Sequence, residues 1–111
     1  MSVIRWFEKV GMSDVVSVGG KNASLGEMIQ ALSQYGVRVP GGFATTAEAY
    51  RSFLAHDGLE QRIHNLLDQL DINNLTQLAA TGKKIRDWII DQPFPDNFEK
   101  IIREAYQELV N

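Results

Sequence analysis

The chain has 111 residues, 44% of them hydrophobic and 23% charged, with a formal net charge of −3. These values suit a soluble globular protein of one domain at most, or a piece of a larger one. The acidic balance argues against a nucleic-acid surface, and the absence of cysteine excludes disulfides, thiolate metal sites and cysteine nucleophiles. No stretch approaches the ~18 apolar residues of a membrane span, and "MSVIRWFEKVG" holds too short an apolar run for a secretory signal. The expectation is a cytoplasmic protein with neither nucleic acid nor membrane as partner.

In chain order, the β-branched and aromatic run "VIRWF" (3–7) predicts a short strand that Gly11 ends. "SDVVSVGG" (13–20) reads as a turn or single helical turn leading to a double glycine. From Asn22 the pattern is helical, with Leu25, Met28, Ile29 and Leu32 at i, i+3, i+4 and i+7, and Tyr35-Gly36 as the stop. Pro40 and two glycines forbid helix through 37–46, so Val37, Val39 and Phe43 to Thr45 are expected to be extended around a sharp bend. Thr45-x-x-Glu48 matches a capping box, followed by Ala49, Tyr50, Phe53 and Leu54.

Gly58 separates that helix from one with an apolar face of Leu59, Ile63, Leu66, Leu67 and Leu70. Asn73 or Asn74 can cap a third segment carrying Leu75, Leu78, Ile85, Trp88 and Ile89, which "QPFP" (92–95) stops because proline cannot donate a backbone bond. Asp96-x-x-Glu99 is a second capping box, opening a last helix with Phe98, Ile101, Ile102, Ala105 and Leu109. The predicted fold class is α+β, predominantly helical. Residues 1–46 are glycine-rich and mixed α/β with a few short strands, and 47–111 are helical.

The candidate chemistry lies in "VGGKNASLGEM" (18–28), where Lys21 follows Gly19 and Gly20 at a helix start. A cation is poorly placed there, because unpaired N–H groups already carry partial positive charge. Two readings stand: a solvated surface lysine, or a phosphate contact. Glycines let the backbone approach a ligand, helix-start N–H groups converge on an anion, and lysine adds a point charge. The stretch is neither a Walker A loop, since Asn22 stands where Ser or Thr should follow the lysine, nor GxGxxG.

Elsewhere the bland readings prevail. His56 and His64 lack partners at metal-ligand spacing and read as structural or solvated. Glu99 with Arg103 fits a solvated i,i+4 face, Ser24 and Thr45-Thr46 have no nearby base, and Trp6, Phe43, Tyr50, Phe53 and Trp88 read as core. No catalytic set and no metal site is visible.

The block "VGGKNASLGEMIQALSQYGVRVPGGFATTAEAYRSFL" (18–54) closely resembles the N-terminal part of the phosphoenolpyruvate synthases, the pyruvate, water dikinases. The likeness continues through "QRIHNLLDQLDINNLTQLAATGKKIRDWIIDQPF" (61–94) and "IIREAYQELV" (101–110), so it covers almost the whole chain. Pyruvate, phosphate dikinases are similar over "GGK" and the P-x-G-F segment but less so elsewhere. The resemblance implies the N-terminal subdomain of an ATP-grasp-type nucleotide-binding domain, in an enzyme that converts ATP, pyruvate and water to AMP, phosphoenolpyruvate and phosphate with Mg2+. It implies that Lys21 contacts ATP phosphates and that Gly19 and Gly20 shape the turn.

The family's arginine-containing strand, magnesium-binding acids, phosphohistidine and pyruvate site have no counterpart in these residues, and neither His56 nor His64 lies in the phosphohistidine motif. The expectation is therefore an N-terminal fragment that is inactive alone and requires no cofactor by itself. Its partners would be ATP and the remaining domains of the full-length enzyme, with exposed apolar faces able to self-associate. Two alternatives stay open: a free-standing helical module that binds a protein, and a weak nucleotide binder.

Overall fold

A computed structural model describes residues 2–95 and 97–111. The predicted opening strand forms as β1 (Ile4–Trp6) and pairs antiparallel with β2 (Phe43–Thr45), in the register Ile4 to Thr45, Arg5 to Ala44 and Trp6 to Phe43. The Trp6 and Phe43 rings meet edge-to-face across the pair at 5.4 Å, a favoured aromatic geometry. Single 3-10 turns at Phe7–Lys9 and Met12–Asp14 lead into α1 (Val15–Val18), and α2 (Gly20–Ser33) follows at once. Then come α3 (Ala47–Ala55), α4 (Leu59–Asp68), α5 (Leu75–Asp91) and α6 (Phe98–Val110). The result is a mostly helical α+β chain with a two-stranded sheet. No helix of the described residues is long and apolar enough to cross a membrane.

The chain divides into two compact units, residues 1–51 with 96–111, and residues 52–95. The first unit holds two apolar clusters. Val10, Val18, Ala23 and Ala44 pack with Phe7, and Val3, Ala49 and Phe98 pack with Ile4 and Ile101. The face that α2 buries differs from the expected stripe: Ala23, Gly26 and Ile29 are buried, Leu25 and Leu32 are half-buried, and Met28 is exposed. Close backbone approach at Gly26 selects this face, because a Cβ there would meet the Val10 carbonyl oxygen at 2.2 Å and that of Phe7 at 2.8 Å. Two side chains of α2 fix the same contact. Gln30 Nε2 donates to Val10 O at 2.7 Å, and Glu27 Oε1 accepts from Met12 N at 2.9 Å.

The cap of α3 is Thr46 rather than Thr45. Thr46 Oγ1 accepts from Ala49 N at 3.1 Å and donates to Ser2 O at 2.6 Å, and its backbone N–H donates to Val3 O. Thr45 occupies the last strand position and is exposed, so its hydroxyl is committed to no helix start. Glu48 is therefore one residue too early for a capping box, and it accepts instead from Ser17 Oγ at 3.0 Å. The second expected box begins at Asp96, which lies outside the described residues. α6 starts after Asn97, whose φ of 72° is left-handed and whose side chain makes no capping bond. In α6, Phe98 and Ala105 are buried and Leu109 is exposed.

In the second unit, Asn74 caps α5 through Gln77 N at 3.0 Å, and the helix stops at Asp91 before Pro93. Leu59 is fully buried and Phe53 meets Phe94 edge-to-face at 5.9 Å. Gln92 Nε2 ties the end of α5 to His56 O at 2.7 Å. Trp88 is half-buried, with Arg62 and Lys84 over its ring at 5.0 and 5.4 Å. Leu67, Leu75 and Leu78, expected on buried faces, are exposed, and so is Tyr50 in the first unit.

Candidate functional site

The turn at Gly19 is shared by two helices. Its N–H donates to Val15 O at 2.7 Å, closing α1, and its carbonyl accepts from Ala23 N at 3.0 Å, opening α2. That double duty needs φ of 84° and ψ of 162°, a conformation essentially restricted to glycine. Gly20 is the first residue of α2, and a Cβ there would meet nothing within 4 Å. Neither packing nor positive φ demands glycine at Gly20, whereas at Gly19 the backbone alone does.

Lys21 is the second residue of α2 and is exposed. Its side chain makes no ion pair or hydrogen bond among the described residues. The backbone N–H groups of Gly20, Lys21 and Asn22 have no acceptor among them either, as expected for the first turn of a helix. The Asn22 side chain is engaged: its Nδ2 donates to Val18 O at 2.8 Å. The three candidate residues Gly19, Gly20 and Lys21 thus form one exposed corner, carrying one cation and two unpaired amides, with that of Asn22 beside them.

Two carboxylates brace the segments around this corner. Asp14 Oδ2 accepts from Gly11 N at 2.9 Å and Oδ1 from Arg5 at 3.1 Å, and the Gly11 N–H above all, aided by Arg5, holds its pKa below the ordinary aspartate value. Glu48 is likewise lowered, first by its own backbone N–H and then by the Ser17 hydroxyl. Each bond favours the charged form of its acceptor. Ser17 lies in α1 and Glu48 in the first turn of α3, so their bond tethers the approach to the glycine corner to the start of α3.

The other sequence candidates do not join this site. His56 stands 3.4 Å from Asp57 and His64 3.9 Å from Glu60, both on the surface of the second unit. Ser24 Oγ faces Met12 Sδ at 3.8 Å, and no base stands beside it among its described partners. Among the described residues no three His, Asp or Glu side chains gather where they could hold a metal ion. The described residues therefore offer no ligand set for magnesium. A shallow groove of about 530 Å³ lies along Ser33, Gly36, Val37, Arg38, Val39 and Pro40, and the glycine corner does not line it. Sequence reasoning missed Asn22 as a structural partner of the corner. The signal was present: an amide side chain in the first turn of a helix commonly bonds nearby backbone.

The model of the family described as pyruvate phosphate dikinase, AMP/ATP-binding domain, matches residues 15–111. The chain belongs to this family. It is 58% identical over 105 residues, 95% of its length, to phosphoenolpyruvate synthase of Neisseria meningitidis serogroup B. It is 57% identical over 107 residues to phosphoenolpyruvate synthase of Escherichia coli K12, and 54% over 104 residues to that of Pseudomonas aeruginosa. These alignments cover 96% and 94% of the chain. The chain spans 13%, 14% and 13% of the three relatives, matching their N-terminal part. The family match begins at Val15 and so includes the whole of the glycine corner.

Proposed function

We propose that this sequence supplies part of the ATP-phosphate site of a phosphoenolpyruvate synthase, within an ATP-grasp-type nucleotide-binding domain acting in the cytoplasm. The enzyme would convert ATP, pyruvate and water to AMP, phosphoenolpyruvate and phosphate. Lys21 contacts the ATP phosphates, Gly20 lets them approach the backbone, and Gly19 turns the chain so that the α2 amides face them. The observation that carries this reading is the corner itself: a lysine without a protein partner among the described residues, on a helix start with unpaired N–H groups. An anion there relieves the repulsion between the ammonium and the helix N-terminus.

The chemistry requires groups that these residues do not supply, so the chain's own contribution is binding and orientation. The test is pyruvate-dependent AMP formation by the enzyme carrying this sequence. Lys21→Ala should raise the KM for ATP about tenfold or more, the loss expected of one charge-assisted hydrogen bond. An unchanged KM refutes the assignment.

A second reading is favoured by one observation. Ile72, Leu75 and Ile90 are 71, 76 and 77% exposed in the second unit. These side chains are the ones that packing against the remaining domains of the enzyme, or a second copy, would cover. Light scattering after size exclusion tests it on the 111-residue chain. A strictly monomeric species that binds no apolar dye rejects this role.

A further inference from the structure

Asn22 stands next to Lys21 but does a different job. Its Nδ2 donates to Val18 O at 2.8 Å, across the Gly19 turn, while its backbone N–H stays unpaired among the described residues. Val18 is the last residue of α1 and is buried, whereas Gly19, Gly20 and Lys21 are exposed. The bond therefore anchors an exposed turn to a buried residue. It also supplies a partner to a carbonyl at the end of α1, where helix carbonyls otherwise go unpaired.

Gly19 has the widest conformational freedom of any residue type, and around it α1 and α2 meet through the buried cluster that holds Val18 and Ala23. The Asn22 amide adds a directed polar tie to this packing, closing the segment from Val18 to Asn22 with a side chain. The other end of α2 is held independently, through Gly26 against Val10 and Gln30 to Val10 O. With both ends fixed, the Lys21 backbone has one direction to present.

We infer that Asn22 is a positioning residue for the phosphate contact: it acts through Lys21 by locking the corner between α1 and α2, and its side chain is not itself offered to the ligand. This rests on the reading of Lys21 as an ATP-phosphate contact. It also accounts for a feature of the sequence, since an amide at this position reaches the carbonyl at the end of α1 while a Walker-type hydroxyl would be directed at a metal.

The experiment is a double-mutant cycle in the enzyme carrying this sequence, read as the KM for ATP in pyruvate-dependent AMP formation. Asn22→Ala should raise that KM about two- to tenfold, the range of one neutral hydrogen bond. In the Lys21→Ala background the same substitution should change it by less than about twofold, because a residue acting through Lys21 has nothing left to position. Thermal melts check that each variant folds. Asn22→Gln, which keeps an amide donor able to reach back across the turn, serves as the second variant and should restore part of the affinity.

An equal loss in both backgrounds overturns the positioning role, as does an Asn22→Ala KM equal to that of the unsubstituted enzyme. A Lys21→Ala enzyme with unchanged KM overturns instead the ATP reading on which the inference rests, so the two failures are distinguishable.

Discussion

Gly26 of α2 lies against the backbone of Val10 so closely that a Cβ would stand 2.2 Å from the Val10 carbonyl oxygen and 2.6 Å from its Cγ2. The contact decides which face of α2 is buried and where the helix points. Gly26→Ala should destabilise the protein by about 1–3 kcal/mol, because backbone rather than a flexible side chain must move. Gly82 in α5 is the control: a Cβ there meets only the end of Arg86, at 3.1 Å. Gly82→Ala should gain up to about 1 kcal/mol of helix propensity. Urea unfolding of the two variants should therefore move in opposite directions.

The start of α3 makes a second, sharper distinction between neighbours. Thr46 Oγ1 both caps the helix and donates to Ser2 O, and the residue is buried. Thr46→Ala should cost about 0.5–2 kcal/mol, the usual loss of an N-cap. Thr45→Ala should cost less than about 0.5 kcal/mol, as surface substitutions do. Chemical denaturation midpoints of the two variants test this, and equal losses would place the cap elsewhere.

Acid should loosen the first unit through Asp14 and Glu48. Both carboxyls are held below their ordinary values in the folded chain, Asp14 first by the Gly11 N–H and Glu48 first by its own N–H. A depressed folded pKa means that the unfolded chain binds protons more readily as pH falls. The stabilisation is therefore complete above the ordinary carboxylate range, at about pH 4 to 5, and is lost as pH drops through the folded values. Melting temperatures measured from neutral to strongly acid pH should fall less steeply in Asp14→Asn and Glu48→Gln than in the unsubstituted protein. An unchanged slope in both would show that these bonds do not persist in solution.

Much of this architecture is legible in the sequence. A β-branched and aromatic run marks the first strand, Phe43 to Thr45 is read as extended chain after the Pro40 bend, Gly58 and "QPFP" mark helix ends, and Asn74 is one of two caps named for α5. What misled was the assumption that large apolar residues define the buried face. In α2 the helix packs by its small residues, Ala23 and Gly26, so Met28 is turned outward. An interior helix glycine was the available sign of close approach. The one-residue error at Thr45 has a similar origin, since two adjacent threonines satisfy a capping pattern and only the strand register shows which one is free. Leu75 and Leu78 obey helical periodicity yet are exposed, because periodicity marks an apolar face without saying what covers it. At the glycine corner, residue types gave Gly19, Gly20 and Lys21. The amide type and first-turn place of Asn22 signal a bond to nearby backbone, and the Gly19 turn decides that the acceptor is Val18 O.

Lys21 connects the energetics of the fold to its proposed role. An ammonium in the first turn of α2 opposes the partial positive charge of the unpaired N–H groups. Without ligand, Lys21→Ala should therefore stabilise the 111-residue chain by about 0.3–1 kcal/mol at low ionic strength, and less in high salt, where the repulsion is screened. The same substitution should weaken ATP binding, which in the isolated chain is expected at a dissociation constant of about millimolar or weaker, worth roughly 4 kcal/mol or less. Thermal melts at two salt concentrations, with and without ATP, read both effects on one sample. Stabilisation without ligand, combined with a smaller ATP-induced rise in melting temperature, is the pair of outcomes expected of a residue kept for an anion. A loss of stability in the ligand-free variant would mean that Lys21 serves the fold, and the phosphate reading would lose its physical motive.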